Sequence, residues 1–274
     1  MTEGEMVKRY GPWAVVTGAS DGIGRAFAVC LAEAGIHVML VARREGALAD
    51  LADELRHRCR IEAQIVAADL GTTAGVQAVV SATRALDVGI LIAAAGFGTS
   101  GEFVETPVGE QLSMIDVNCR AVVELSHHFG TRFVQRGRGG VVLMSSIVAF
   151  QGVARVATYA ATKAFVQTFA EGIRAELSPL GVDVIASAPG PVHSGFAHRA
   201  SMTMTQAASP RTVAQQTLAG LGSATTVRPG WLSKVLELSL SLLPRRGRVR
   251  MMGVVMAGMT NGKSPSAPLA PDAS

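Results

Sequence analysis

The chain of 274 residues reads as an α/β protein: a doubly wound parallel sheet flanked by helices on both faces, with a C-terminal helical extension that is both apolar and basic. Three observations predict this. The first forty residues hold a strand, a glycine-rich turn, a helix and a second strand, in that order. Later apolar runs, Gly140-Val141-Val142-Leu143-Met144 and Val182-Asp183-Val184-Ile185-Ala186, are nearly continuous rather than alternating, as suits parallel strands covered on both faces. Helical patterns alternate with the strands and favour right-handed βαβ crossovers. One large sheet accommodates most of a chain of this length. We expect a doubly wound α/β domain over residues 1–227, an extension over 228–260 and a disordered tail over 261–274.

Taken in order, Met1 to Arg9 is polar and has no apolar h-region, so no signal peptide is predicted. Trp13-Ala14-Val15-Val16-Thr17 is a short β-prone run leading into Gly18-Ala19-Ser20-Asp21-Gly22-Ile23-Gly24. An apolar helical pattern follows at Ala26, Phe27, Val29, Cys30 and Leu31, and a second strand, His37 to Ala42, ends at Arg43-Arg44. Strand, glycine turn, helix and strand form a βαβ unit suited to a dinucleotide. Glycines let the backbone turn tightly and approach a pyrophosphate, while the helix N-terminus favours negative charge. The spacing is G-x-x-x-G-x-G rather than the commoner G-x-G-x-x-G.

The chemistry is carried by Tyr159 and Lys163, four residues apart, with Ser146 thirteen residues upstream of the tyrosine. Positions i and i+4 share one helix face, so the ammonium can sit beneath the phenol. A free tyrosine titrates at roughly pH 10, and a neighbouring cation is expected to lower that value. The pair suits proton transfer to or from a carbonyl or alcohol oxygen held by the Ser146 hydroxyl. Ser145 is one residue too far from the tyrosine for that role and reads as structural.

These segments together resemble the short-chain dehydrogenase/reductase family over roughly residues 10 to 225. The resemblance implies a Rossmann-like fold and an NAD(P)-dependent oxidoreductase acting on ketones and secondary alcohols. It assigns Gly18, Ser20, Asp21, Gly22, Ile23 and Gly24 to the cofactor loop. Asp69 and Leu70, in Ala68-Asp69-Leu70 at the end of a third strand, resemble the segment that contacts the adenine. Ala94 and Gly96 follow a fourth strand beside the cofactor. Asn118, Ser146, Tyr159 and Lys163 match the catalytic set, with Tyr159 as proton donor and Lys163 also holding the nicotinamide ribose. Asn118 is expected to support a water chain that resupplies the proton. Pro189, Val192 and Ser194 match the loop over the nicotinamide. Two asparagines usual in the fourth-strand segment are Ala93 and Ala94 here, which puts affinity or stability in question but removes no chemical group. The resemblance also implies a homo-oligomer, a dimer or tetramer, paired through the helices after the fourth and fifth strands.

Cofactor choice turns on the end of the second strand, where an Asp or Glu would bind the ribose of NAD and repel a 2′-phosphate. Arg43 and Arg44 stand there instead, and arginine pairs well with phosphate, so NADP(H) is expected. Arg25 reads either as added positive charge or as a surface helix residue. Phe97, Phe103, Phe150, Val153 and Phe196 flank the catalytic segments as a candidate apolar wall or as core packing. A real wall implies a small lipophilic carbonyl or alcohol substrate, such as a 3-oxoacyl or steroid-like compound. His193 reads as solvent-facing or touching substrate, and His127-His128 as helix surface rather than a metal site.

Charge is unevenly placed. From Arg228 onward there are seven Lys/Arg against two acids, a net +5, while the rest has 18 against 19, a net −1. A near-neutral catalytic region does not mark a nucleic-acid binder. Within the tail, Trp231 to Leu243 is an apolar helical run stopped by Pro244, then comes the cluster Arg245-Arg246-Gly247-Arg248-Val249-Arg250 and a second apolar run to Met259. A lid over the substrate or a subunit contact is expected, with a peripheral membrane-surface element as the alternative. Three cysteines, Cys30, Cys59 and Cys119, lack metal-like spacing and read as reduced thiols in a cytoplasmic setting. No transmembrane span is evident. The alternative to an enzyme is a dinucleotide-binding redox sensor or scaffold, for which Ala93-Ala94 gives a small foothold.

Overall fold

A computed structural model of the protein describes residues 3–192, 207–230 and 243–260. Among these the elements are α1 (Glu3–Tyr10), β1 (Trp13–Thr17), α2 (Gly22–Glu33), β2 (His37–Ala42), α3 (Glu45–Cys59), β3 (Ala63–Ala67), α4 (Thr73–Ala82) and β4 (Val88–Ala93). They continue with α5 (Val108–Ile115), α6 (Ala121–Arg136), β5 (Gly139–Met144), α7 (Ala157–Leu177), β6 (Val182–Ser187), α8 (Pro210–Gly220), β7 (Thr226–Val227) and α9 (Arg245–Thr260). A π-helical turn at Asp116–Arg120 joins α5 to α6, and a 3₁₀ turn at Ile147–Phe150 follows β5.

The strands form one parallel sheet in the order β3-β2-β1-β4-β5-β6-β7. Winding runs outward one way from β1 and the other way from β4, so a crevice opens at the carboxyl ends of these two strands, where ligands bind in such sheets. Strand side chains alternate between two cores, each built on one face. Ala14, Val16, Val38 and Leu40 pack with Phe27, Leu31, Leu48, Leu55 and Val213 under α2, α3 and α8. Val15, Met39, Val41, Leu91, Val141 and Leu143 pack with Val76, Leu125, Phe129, Phe133 and Val166 under α4, α6 and α7. Each fully buried Leu or Phe in these layers contributes about 1.5–3 kcal/mol. Burial on both faces is why β1, β4, β5 and β6 read as unbroken apolar runs.

Asp183 interrupts one such run for a reason the strand alone does not show. Its carboxylate accepts a hydrogen bond from the buried Tyr10 hydroxyl at 2.7 Å and pairs with Arg9 at 2.6 Å, bracing α1 against the sheet. Gly140 leaves room for the Tyr10 ring, which would lie 3.0 Å from an added Cβ. The polar N-terminus is therefore a short helix docked on the sheet.

The C-terminal extension differs from its expected division. The arginine cluster and the second apolar run form one helix, α9. Met252 and Met256 are buried in a third apolar cluster with Ile147, Val148, Val153, Val156 and Ala160, against which Tyr159 packs. No described helix is long and apolar enough to cross a membrane. The expected helix over 231–243, apart from Leu243, and the tail over 261–274 lie outside the described residues.

Candidate active site

The crevice begins with the glycine loop. Gly18 and Gly22 have φ of 68° and 54°, values that cost a side-chain-bearing residue energy. A Cβ on Gly24 would stand 2.3 Å from the Gly18 carbonyl oxygen, so glycine there lets α2 seat directly on the turn. Asp21 caps α2, its carboxylate accepting from the Gly22 N–H at 2.7 Å. The N-terminal amides of α2 thus face the crevice with the positive end of the helix dipole.

Arg44 reaches back over this loop, donating from Nη2 to the Ser20 carbonyl and to the Ser20 hydroxyl, both at 3.2 Å. Arg43 is exposed beside it. Arg25 pairs with Glu54 on the helix surface. At the end of β3, Asp69 accepts from the Gly71 N–H at 2.9 Å, which shapes the turn into α4, and Leu70 is buried beneath it.

The end of β4 approaches the glycine loop closely: an added Cβ on Gly18 would lie 2.9 Å from the Ala94 carbonyl oxygen. With alanines at 93 and 94, Thr17 supplies the local side-chain bonds. Its hydroxyl accepts from the Ala95 N–H at 2.9 Å and donates to the Ile92 carbonyl at 3.3 Å. Gly96 is required by its neighbours, since a Cβ would meet Asn118 Oδ1 at 3.0 Å and Lys163 Nζ at 3.5 Å.

Ser146, Tyr159, Lys163 and Asn118 converge on this strand end. β5 delivers Ser145 and Ser146, and α7 presents Tyr159 and Lys163 on one face. The Ser146 hydroxyl bonds the Tyr159 phenol and accepts from the Val148 N–H at 3.4 Å. Ser145 is turned inward, donating to the Lys163 carbonyl at 3.2 Å. Lys163 is buried, its Nζ donating to the Met144 carbonyl at 2.8 Å and lying 5.7 Å from the Tyr159 ring centre. Asn118 sits in the π-helical turn, and its carboxamide accepts from Phe97 N–H at 3.1 Å and donates to Phe97 O at 2.9 Å and Thr162 Oγ1 at 3.1 Å. A π-bulge widens one turn and so re-aims a side chain, a device common at functional sites.

The protonation states correct one expectation. Burial pushes the Tyr159 phenol up to about 12, with the Ser146 hydrogen bond pulling the other way. Burial also brings the Lys163 ammonium down to about 8. Desolvation therefore outweighs the cation at Tyr159 and keeps the phenol protonated, while Lys163, at about 8, still carries its proton near neutral pH. The lysine spends its donor on the Met144 carbonyl and lies over the ring rather than against the hydroxyl.

On the nicotinamide side, the Ile147 N–H donates to the Pro189 carbonyl at 3.0 Å, and Val192 is buried and bridged to Ala208. His193, Ser194 and Phe196 lie outside the described residues. Of the candidate wall, Val153 is buried in the methionine cluster, and Phe150 lies under the Arg228 guanidinium at 4.7 Å. Phe97 is buried and its backbone is held by Asn118, while Phe103 is exposed. His127 is exposed and His128 packs edge-on against Phe129, so the two do not act together. Burial raises the Cys119 thiol to about 11, keeping it neutral.

Several site residues carry no signal of their own in sequence. Thr17 and Thr162 are ordinary strand and helix residues until the fold brings β4 and Asn118 to them. Met252 and Met256, at i and i+4, did carry a helical spacing, but their target on the catalytic segment is a tertiary fact. Arg155 has φ of 66°, which its residue type does not announce.

A glycine-turn crevice at a strand-order reversal, beside a Ser-Tyr-Lys cluster, defines a dinucleotide-dependent oxidoreductase of the α/β type. The short chain dehydrogenase family model matches residues 12–205, and the chain belongs to this family. It is 33% identical over 177 residues to a 7beta-hydroxysteroid dehydrogenase of Collinsella aerofaciens, covering 65% of this chain and 67% of that one. A solved structure of a 7beta-hydroxysteroid dehydrogenase superposes with a TM-score of 0.83 at 27% identity, covering 90% of this chain and 98% of the other. A short-chain dehydrogenase from Sphingobium yanoikuyae in complex with NADPH superposes with a TM-score of 0.74 at 29% identity, covering 95% and 99%.

Proposed function

We propose that the protein is an NADP(H)-dependent oxidoreductase that interconverts a lipophilic ketone and its secondary alcohol, with Asn118, Ser146, Tyr159 and Lys163 as its catalytic group. The observation that carries this reading is the Tyr159 phenol, hydrogen-bonded to Ser146 and packed over the buried Lys163. The loop fits a dinucleotide, because the cradle at Gly18, Gly22 and Gly24 is one that side chains would fill or strain. Arg44 and Ser20 together support a 2′-phosphate site, since the guanidinium fork and hydroxyl already meet at 3.2 Å. Asp69, Leu70, Ala94, Gly96, Pro189, Val192 and Ser194 would line the remainder.

When bound, the nicotinamide supplies the hydride. In the reducing direction, Tyr159 donates its phenolic proton to the carbonyl oxygen as that oxygen becomes an alcohol. Burial holds the phenol in the protonated form that this step needs. Ser146 donates a hydrogen bond to the same oxygen and fixes its distance from Tyr159. Lys163 places positive charge beneath the phenol as proton density leaves it. Asn118 holds Phe97 and Thr162, and through them the floor of the site.

The methionine cluster supports a lipophilic substrate, because α9 brings Met252 and Met256 to the apolar wall behind Tyr159. It favours the lid reading of the extension over a membrane-surface element. An exposed apolar stripe, Val108, Leu112 and Ile115, runs along α5 beside α7, with Val104 exposed in the turn before it and Phe165 exposed on α7. This supports pairing of identical subunits through that face.

The test is oxidation of NADPH and NADH with lipophilic ketones and 3-oxoacyl thioesters, in wild type, Tyr159→Phe and Arg44→Ala. Turnover with NADPH should fall at least about 100-fold in Tyr159→Phe, with nucleotide binding retained. Arg44→Ala should weaken NADPH by roughly tenfold and leave NADH unchanged. Tight NADPH binding with no turnover on any ketone would favour the sensor or scaffold instead.

A further inference from the structure

We propose that Gln111 is a positioning residue for the reaction: bonded to Thr158, it fixes the first turn of α7 so that the Tyr159 phenol is aimed at Ser146. This deepens the oxidoreductase reading and rests on Tyr159 as the proton donor.

The groups of the cluster are anchored differently. Ser146 belongs to the turn after β5, where its hydroxyl accepts from the Val148 N–H at 3.4 Å and the adjacent Ile147 N–H donates to the Pro189 carbonyl at 3.0 Å. Lys163 is tied to β5 twice: its Nζ donates to the Met144 carbonyl at 2.8 Å, and its own carbonyl accepts from Ser145 at 3.2 Å. Tyr159 is the third residue of α7, so its aim follows the start of that helix. Val156 precedes the helix and gives no side-chain cap, where a Ser, Thr, Asp or Asn ordinarily satisfies a first-turn N–H. Arg155, one residue earlier, has φ of 66°, a strained conformation that its surroundings must hold.

Support for this turn comes from the neighbouring helix. Gln111, buried on α5, uses both ends of its carboxamide: Oε1 accepts from the Thr158 hydroxyl, and Nε2 donates to the Phe103 carbonyl at 3.2 Å. Asn118, on the π-helical turn that continues α5, repeats the pattern by donating to Thr162 Oγ1 at 3.1 Å and to the Phe97 carbonyl at 2.9 Å. Two amides thus grip two threonines four residues apart on α7, and Tyr159 lies between those threonines. Each amide also ties one end of the loop from Phe97 to Phe103. Joining Thr158 to that loop takes a donor and an acceptor on one side chain. Thr158 immediately precedes Tyr159, so a shift of the turn carries the phenol with it, and a displacement of about 1 Å can cost on the order of 100-fold in rate.

Variants of the full chain test this from both sides of the bond. Gln111→Met keeps length and removes both bonds, Thr158→Val keeps shape and removes the hydroxyl, and Thr158→Ser keeps the hydroxyl. With NADPH and a lipophilic ketone, Gln111→Met and Thr158→Val should each lower kcat about tenfold, with KM and the NADPH Kd within about twofold of wild type. The double variant should fall no further, because either change alone already breaks the bond. Thr158→Ser should stay within about threefold of wild type, and Gln111→Met should add nothing to Tyr159→Phe. Hydrogen exchange in the NADPH-loaded chain should quicken at residues 157–160 in Gln111→Met and stay unchanged at 163–166. A kcat within about twofold of wild type in both single variants, multiplying losses in the double variant, or unchanged exchange at 157–160 overturns the proposal. Wild-type turnover in Tyr159→Phe, or no turnover of any ketone by wild type, overturns the oxidoreductase reading instead, and the exchange result then still decides whether Gln111 holds this turn.

Discussion

Removing the Asn118 side chain tests how the site is held together. Asn118 is 1% exposed, and its carboxamide meets the Phe97 N–H, the Phe97 carbonyl and Thr162 Oγ1 at 2.9–3.1 Å. Asn118→Ala leaves two backbone groups of Phe97 buried without that partner, each costing about 1–3 kcal/mol. Thr162 loses less, because its hydroxyl still donates to the Tyr159 carbonyl at 2.8 Å. The sum is about 2–6 kcal/mol, and for a chain of this size that lowers Tm by roughly 5–20 °C. Thr162→Val removes one bond of the network and should cost only about 0.5–1.5 kcal/mol. Because both variants break the Asn118–Thr162 bond, their effects should be less than additive in the double variant. Thermal and urea unfolding of the two single variants and the double variant measure all three quantities. A Tm shift under about 2 °C for Asn118→Ala would refute the argument, as would strict additivity, because either would mean the carboxamide bonds are replaced on mutation.

Gly24→Ala should abolish NADPH binding in a fluorescence titration, because its Cβ would stand 2.3 Å from the Gly18 carbonyl and backbone cannot yield there. Thr17→Val keeps shape but removes the acceptor for the Ala95 N–H; about 1–3 kcal/mol of stability should be lost, read by urea unfolding. The folded Lys163 pKa of about 8 lies below its ordinary 10.5, so the unfolded chain binds more protons between these values and stability should rise with pH there. Tyr159, raised from 10 to about 12, acts oppositely above pH 10. Urea unfolding at pH 7.5 and 9.5 should therefore show a gain in wild type that shrinks in Lys163→Met. The pair Met252→Ala and Met256→Ala should release α9 without melting the sheet. The global Tm should change by less than about 3 °C, while hydrogen exchange in residues 245–258 quickens and KM for a lipophilic ketone rises about tenfold.

The fold was legible because parallel strands covered on both faces leave a plain mark in sequence. The runs at 13–17, 37–42, 140–144 and 182–186 need no knowledge of their partners. The glycine loop and the Tyr159–Lys163 pair were legible for a similar reason: their geometry is local, set by one turn and one helix. What stayed hidden depends on distant approach. Asp183 reads as a flaw in an apolar strand until α1 brings Arg9 and Tyr10 to it. The tyrosine titration is hidden too, because spacing reports that a lysine is near, but not that both groups are desolvated together. Arg43 and Arg44 are equivalent in sequence, and only the turn into α3 puts the second one over Ser20.

Ala93 and Ala94 show how a departure from a family pattern can be absorbed by the neighbouring strand. A side-chain amide at the end of β4 would hold nearby backbone, yet the same peptide can be held from β1. Thr17, in register with Ala93, places one hydroxyl between the Ile92 carbonyl and the Ala95 N–H. A hydroxyl is suited to this, since it donates and accepts at once and a β-branched residue is already favoured in a strand. The next turn of chain is then fixed from the other side, where Asn118 grips both polar groups of Phe97. Gly96 lies between these two clamps, and the absent Cβ is what lets Asn118 and Lys163 close over it. The backbone beside the cofactor crevice is thus held at both ends without the usual asparagines. Their loss alone gives no reason to read the site as inactive.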